Sequence, residues 1–539
     1  MFKKGPFLIL NLVAIMSLTS CFLKTDLKFE PYEQYIDEIN TKFDQNGDGF
    51  YKIKEYDDLE YLDFQGNTHV ISSFRDIFSN TNNNRTYLNM KSTGEQKLLV
   101  LPISFKDSDK SNQAAKKIYI QNAFFGKPEK TVHESVASYY NEVSYGHLKL
   151  SGKVADFFEV DYSGDDLLSL GTKTNVSRYI TSLALDYYKS LNDDIYDFDN
   201  DKDGYIDGVV AVYDYPFANS NNSLFWAYVD HMNKNEAIYL DKKTIFNQSE
   251  PYASMYGWMS IDFMKQEYNY VDSHVYIHEF GHILGLQDYY SDNKYQPTGY
   301  MDMMDYNLGD HNAFTKMLLN WTTPYVITGD CTIKLKPSYK SGDCIIIPSI
   351  NAKNGDLGWN KTPYDEMLVI EFYAPQGVNA YDATLSFNYE NSNKEQKIGK
   401  LFTNYGIKVY HVDSRIGYVK NKSLSSYIAL LGDKDLKTKL DNYKKQCEES
   451  GTALRWCLDF PFNNKDKNHP YIKLIESNGK NTLINGECAT NNSLFKKGQD
   501  FGQTCYQDFK FYDQSGLPFT FKVESISAEE AILTFKTIK

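Results

Sequence analysis

Apolar and polar positions follow three different rhythms along this chain, and each predicts a different kind of element. Leu98-Leu99-Val100-Leu101-Pro102-Ile103-Ser104-Phe105 and Gly208-Val209-Val210-Ala211-Val212-Tyr213 are almost unbroken apolar runs, as expected of strands buried on both faces. Val132 to Tyr145, stopping at Gly146, has helical spacing. So does Val176 to Leu191, with Ile180, Leu183, Leu185 and Tyr188 as apolar positions. Leu148 to Gly152 alternates like a strand. From about Trp321 onward β-like runs dominate: Cys344 to Pro348, Met367 to Tyr373, Ile407 to Val412, and two alternating stretches within Phe519 to Phe535. The pattern predicts an α+β chain, with a mixed sheet and helices over 94–322 and a β-rich, sandwich-like region over 323–539. Residues 21–93 are more polar, with a helix-like stretch from Glu30 to Phe43, an acidic loop, and an Asn-rich linker from Asn80 to Arg85.

The first 20 residues change the picture, because they read as an address. Lys3 and Lys4 precede an apolar run from Phe7 to Leu18, too short for a comfortable membrane span, and Leu18-Thr19-Ser20-Cys21 follows. These four residues resemble a bacterial lipobox, after which Cys21 would become the lipidated N-terminus. The expectation is a monomer on the extracellular face of a bacterial cell membrane, attached through an N-terminal lipid only, or secreted after processing. With 42% apolar and 24% charged residues, the 539-residue chain is not globally disordered. A net charge of −14 excludes a broad basic face for nucleic acid or anionic lipid and suits divalent cations. Beyond Cys21, six cysteines remain, which in an exported chain predicts three disulfides. Neighbour pairing (Cys331–Cys344, Cys447–Cys457, Cys488–Cys505) is expected, each bond stapling a short loop.

The chemistry concentrates in His278-Glu279-Phe280-Gly281-His282-Ile283-Leu284-Gly285-Leu286-Gln287-Asp288. Two histidines four apart lie one above the other on a helix, so both imidazoles can reach one tetrahedral metal. Glu279, one position round, falls beside the metal's open site, where it can take a proton from water. Ser273 or Asp272 offers an N-cap. Gly285 can end the helix and bend the chain back, bringing Asp288 in as third ligand. By residue frequencies the HExxH pattern arises by chance in roughly one chain in a hundred of this length, and with Gly285 and Asp288 in roughly one in ten thousand. The N,N,O donor set with one open position favours a single catalytic zinc and metal-assisted amide hydrolysis.

Gly299 to Asp305 then holds three methionines within four residues. This resembles the Met-bearing tight turn that lies beneath the metal in metzincin zinc peptidases; Met304 is the expected turn methionine and Met303 the second choice. The HEFGHxLGLxD motif, Ser138 to Gly146, Gly309-Asp310-His311-Asn312 with Trp321, and Gly406 to Asp413 together resemble the immune inhibitor A type of secreted bacterial metallopeptidase. The resemblance spans roughly residues 98 to 415. It implies a metzincin-like catalytic domain, zinc, stabilising calcium and protein or peptide substrates. Where that family often has Trp and Ser around the Met turn, this chain has Met301 and Asp305.

Two acidic loops argue for one or two structural calcium ions. Asp44 to Glu55 fits the twelve-residue EF-hand loop, with side-chain oxygens on Asp44, Asn46 and Asp48, the carbonyl of Phe50, and Glu55 at the last position; Lys52 stands where position 9 has no oxygen to give. In the second loop Asp199, Asp201, Asp203 and Asp207 crowd four carboxylates around the Tyr205 carbonyl, which repel one another unless a cation is present. The expected function is a lipid-anchored zinc endopeptidase of extracellular proteins with Glu279 as general base. The rival is an inactive surface adhesin or glycan-binding protein on a peptidase scaffold. Residues 22–93 also suit a removable inhibitory segment.

Overall fold

A computed structural model describes residues 49–79, 88–170, 172–217, 223–264, 271–291, 295–349, 359–385, 387–391, 394–420 and 427–538. The proposed signal, Cys21, the stretch from Glu30 to Phe43, the Asn-rich linker, and Asp44, Asn46 and Asp48 lie outside these residues. Residues from Asn46 onward belong to one compact unit.

Strand β1 (Phe50–Lys52) opens the described chain and helix α1 (Phe74–Ser79) follows. The central sheet is built from β2 (Gly94–Ser104), β3 (Leu148–Val154), β4 (Val209–Asp214), β5 (Tyr228–His231) and β6 (Met255–Ser260). Its order is β3-β2-β4-β6-β5, parallel throughout except for β5, which runs antiparallel to β6 at the edge. Strand alternation splits the long apolar runs between two faces. Leu98, Val100, Val210 and Val212 join one core with helices α2 (Gln113–Phe125), α3 (Val136–Val143) and α5 (His274–Ile283). Leu99, Leu101, Val209, Ala211 and Tyr213 join the other with helix α4 (Lys173–Leu191). Three layers result, and β4 is buried along its whole length.

Helix α3 begins four residues later than the periodicity predicts. Ser135 and Ser138 form a reciprocal capping box there, so the hydrogen bonds that start a helix are satisfied at Ser135 and not at Val132.

A second, six-stranded sheet has the order β1-β7-β8-β9-β10-β11, with β7 (Tyr325–Ile327), β8 (Cys344–Pro348), β9 (Glu366–Tyr373), β10 (Gly406–Asp413) and β11 (Ile472–Leu474). β1 enters it beside β7, so the start of the described chain shares a sheet with residues beyond 323. The strands Cys331–Leu335, Asp500–Phe501, Phe519–Ile526 and Ala531–Thr537 form a separate antiparallel sheet.

The expected disulfides are not formed: all six cysteines carry unbridged sulfurs. Topology separates the first pair, since Cys331 stands opposite Phe535 in the four-stranded sheet and Cys344 opposite Glu371 in the six-stranded one. The Cys505 thiol donates instead to the Ser477 carbonyl at 3.7 Å. Burial pushes the thiols of Cys331 and Cys344 up to about 12. Among the described residues no helix is long and apolar enough to cross a membrane.

Candidate metal centre

Helix α5 starts after Ser273, whose hydroxyl turns to the Glu134 carbonyl, while Asp272 accepts the His274 N–H at 3.0 Å. It ends at Ile283, and Gly285 takes φ +99°, a conformation open to glycine at little cost. Residues 89 and 90 close this end. Asn89 Nδ2 donates to the Ile283 carbonyl at 3.3 Å and the Met90 N–H to the same oxygen at 3.1 Å. Two residues of the N-terminal region expected over 21–93 thus finish the helix that carries the histidines.

The bend at Gly285 brings Asp288 back over the helix. Its Oδ1 lies 3.2 Å from His278 Nε2 and 3.3 Å from His282 Nε2. Tetrahedral zinc, with Zn–N near 2.0–2.1 Å and Zn–O near 2.0–2.2 Å, places neighbouring ligand atoms about 3.3–3.4 Å apart. The other ring nitrogens are spent on carbonyls: His278 Nδ1 donates to Met303 O at 2.7 Å and His282 Nδ1 to Leu286 O at 2.8 Å. A carbonyl only accepts, so Nδ1 carries the hydrogen in both rings and each Nε2 of the neutral ring presents a lone pair. The three atoms are a preformed N,N,O donor set that fits zinc. Burial opposes charge on His282, but Asp288 outweighs it and lifts the imidazole to about 9. A cation at this point takes the place of that proton.

Glu279 is 7% exposed, and its Oε2 is buried without a hydrogen-bond partner. Burial raises its pKa, against the pull of the two histidines. It lines a cleft of about 650 Å³ together with His278, His282 and Asp288. A carboxylate on a side chain that lines the cleft beside a ligand triad can accept a proton from a bound molecule.

The methionine turn lies directly under the helix. A Cβ on Gly281 would meet Met304 Sδ at 2.4 Å, which explains the glycine inside the HExGH stretch. The Met303 carbonyl orients His278, and the Met304 carbonyl accepts the Tyr289 N–H, beside Asp288, at 2.8 Å. Buried Asp302 shapes this turn by accepting from Met304 N (2.8 Å), His311 Nδ1 (3.1 Å) and both nitrogens of Asn312 (2.7 and 2.6 Å). Tyr140 of α3 donates to the Ile277 carbonyl at 2.8 Å, bracing the helix from behind. The orienting carbonyls of Met303 and Leu286 and the carboxylate of Asp302 escape sequence reading; Asp302's place just before two methionines was the one visible signal.

The acidic loops come out differently. Asp199, Asp201 and Asp207 gather within 4.8 Å, and Asp203 lies outside that group. Arg75 from α1 enters among them: Nη1 bonds Asp201, while Nη2 stands 3.4 Å from Asp203 and 3.6 Å from Asp207. Tyr205 is drawn into a two-residue strand beside Tyr252. Arg75, with Lys91 Nζ 3.6 Å from Asp201, thus offsets part of the carboxylates' charge. In the first loop, Phe50 belongs to β1, Glu55 is exposed in irregular backbone, and Lys52 turns inward to Asp343 at 3.4 Å.

No family model matches this chain, and no curated protein does. Among solved structures it is similar to metalloproteinase-II from Bacteroides fragilis at 13% identity, over 50% of this chain and 63% of that one, with a TM-score of 0.18. The chain thus matches less than two thirds of that protein's length.

Proposed function

We propose that this chain is a zinc-dependent endopeptidase that hydrolyses peptide bonds of extracellular proteins, exported and anchored through a lipid on Cys21. One observation carries the reading: Asp288 Oδ1 and two carbonyl-oriented imidazole nitrogens converge at 3.2 and 3.3 Å, with the unpartnered oxygen of Glu279 beside them. When bound there, zinc supplies Lewis acidity, which makes water a nucleophile near neutral pH and polarises a carbonyl. Glu279 accepts a proton from the attacking water and returns it to the amine nitrogen as the C–N bond breaks. His278, His282 and Asp288 hold the ion, and the turn at Met303 and Met304 keeps His278 and its helix in register. β5, the outermost strand of the central sheet, forms one wall of the cleft. An extended substrate laid along its open edge gains main-chain hydrogen bonds and presents its carbonyls to the site.

The test is Glu279→Gln. Turnover of casein or a peptide library should fall by about 10²–10⁴-fold, the usual worth of a general base, while zinc stays at one per chain. A chelator should abolish wild-type turnover. Unchanged turnover in the variant would refute the assigned base.

A further inference from the structure

The edge strand carries a side chain that the proposed reaction has not used. Faces alternate along β5. Tyr228 and Asp230 belong to the α4 side: Lys173 Nζ sits 3.6 Å from the Tyr228 ring and Arg178 Nη2 3.1 Å from Asp230 Oδ1. Val229 and His231 take the other side, where Val229 packs on the core that includes α5. His231, opposite Met255 in register, lines the cleft with Glu279 and the three ligands, and 31% of its side chain is exposed. The strand end is braced behind it. Asp230 Oδ1 accepts the His231 backbone N–H at 2.8 Å and stands 3.4 Å from its Nδ1. Arg178 ties Asp230 to Glu236 at 2.7 Å, and Glu236 holds the Asn233 N–H at 2.8 Å.

We infer that His231 is a further catalytic residue of this site, donating a ring N–H to the carbonyl oxygen of the scissile bond as charge builds on it. The inference rests on the peptidase reading above. Hydrolysis moves one electron pair onto that oxygen, and a donor fixed to the strand wall stabilises it with no proton transfer of its own; the proton traffic stays with Glu279. Two other donors in the cleft have acceptors of their own: Asn89 donates to helix carbonyls, and Tyr228 toward the Lys173 carbonyl at 3.5 Å. Asp230, held by Arg178, stands on the Nδ1 side of the ring, so the donating form is the imidazolium, with Nδ1–H toward Asp230 and Nε2–H toward the substrate carbonyl.

The experiment compares zinc-loaded wild type, His231→Ala, His231→Gln and Tyr290→Phe, each as the full chain. Turnover of a peptide substrate is measured beside calorimetric binding of a phosphinic peptide, which mimics the tetrahedral, negatively charged stage. His231→Ala should lose about 10²–10³-fold in kcat, the cost of one such donor, with KM within about threefold. Phosphinic-peptide affinity should fall by a similar factor while product-peptide affinity holds, since the contact is made only in the transition state. His231→Gln, which keeps an N–H, should recover part of both. Turnover of His231→Ala within threefold of wild type overturns the assignment, as does a loss confined to KM, a loss of zinc, or a loss found in Tyr290→Phe and not in His231→Ala. Wild type that neither cleaves nor binds the phosphinic peptide removes the peptidase reading and this inference together. An active wild type with an unaffected His231→Ala removes the inference alone.

Discussion

The His278–His282–Asp288 group and the Asp199–Asp201–Asp207 group each bring three ligand atoms within 4.8 Å, yet they are built for different ends. In the first, each imidazole is turned by a carbonyl so that its lone pair meets Asp288, and among the described residues no lysine or arginine pairs with that carboxylate. In the second, a guanidinium from a distant helix stands against the carboxylates. The loop also spends its oxygens locally: Asp199 takes the N–H groups of Asp203 and Gly204 at 3.0 Å each, and Asp207 takes Asn200 N at 2.6 Å. Closeness of ligands does not by itself distinguish an ion site from a cluster whose charge the chain offsets in part. What distinguishes them is whether the groups around the ligands aim them at a common point or satisfy them.

The largest expected effect tests the first half of this contrast. Asp288→Ala should weaken zinc binding by more than about 100-fold, beyond the range for changes to outer partners alone, as read by competition with a chromophoric chelator. Asp201→Ala should leave zinc affinity unchanged. Equal affinities in wild type and Asp288→Ala would break the comparison, because the carboxylate would then be a bystander to the imidazoles.

How much of this was legible beforehand follows from which forces are local. The buried strands at Leu98 and Val209, the helix read as Val176 to Leu191 and found over Lys173–Leu191, and the His278, Glu279, His282 and Asp288 constellation could be read because period and spacing are properties of short stretches. Gly285 told where the helix ends for the same reason. Arg75 could not be read: 126 positions separate it from Asp201, and nothing near it in sequence marks it as a counter-ion. The carbonyls of Met303 and Leu286 were invisible because every residue has one. For Cys331 and Cys344 the disulfide expectation failed on topology, since the two fall in different sheets. The participation of β1 and of Asn89 and Met90 depends on long-range pairing too. It makes the chain from Gly49 onward part of the same compact unit as the metal centre.

Arg75→Met keeps the stem and removes the charge, and tests the second half of the contrast. The Arg75 side chain is 11% exposed and Asp201 10%, so the pair is largely shielded from water. Breaking a buried pair and leaving Asp201 with only the more exposed Lys91 at 3.6 Å should cost about 3 kcal/mol. At about 2.1 cal/mol/K of unfolding entropy per residue, over a unit of this size, that is about 3 °C in the thermal midpoint. Millimolar calcium should shift wild type by no more than about 1 °C by ligand linkage and should recover part of the loss in Arg75→Met. A wild-type rise of several degrees would mean that calcium displaces the guanidinium, and the loop would belong with the metal centre after all.

The smallest effect has a direction that separates the two descriptions of the loop. Burial, and then the charge of Asp201, push the Asp207 carboxyl from 3.8 up to about 6. Between about pH 4 and pH 6 the folded chain therefore holds a proton that the unfolded chain has released, and stability from this group falls as pH rises through that window. Asp207→Asn keeps an acceptor for the Asn200 donors and binds no proton. Its midpoint relative to wild type should climb from pH 4 to about pH 7 and then level off. Two pKa units, in which the Asn200 and Arg75 partners are already counted, set an upper bound of about 3 kcal/mol, which relaxation around the carboxyl reduces to about 1–2 kcal/mol, or 1–2 °C, on the same conversion. Thermal midpoints of both proteins across pH 4.5 to 8 give the answer. An ion held by this loop would keep Asp207 charged and hold its pKa below the ordinary 3.8, so the relative midpoint would stay level from pH 4.5 to 8, and a climb or a flat line decides between a loop closed by arginine and one built around a metal.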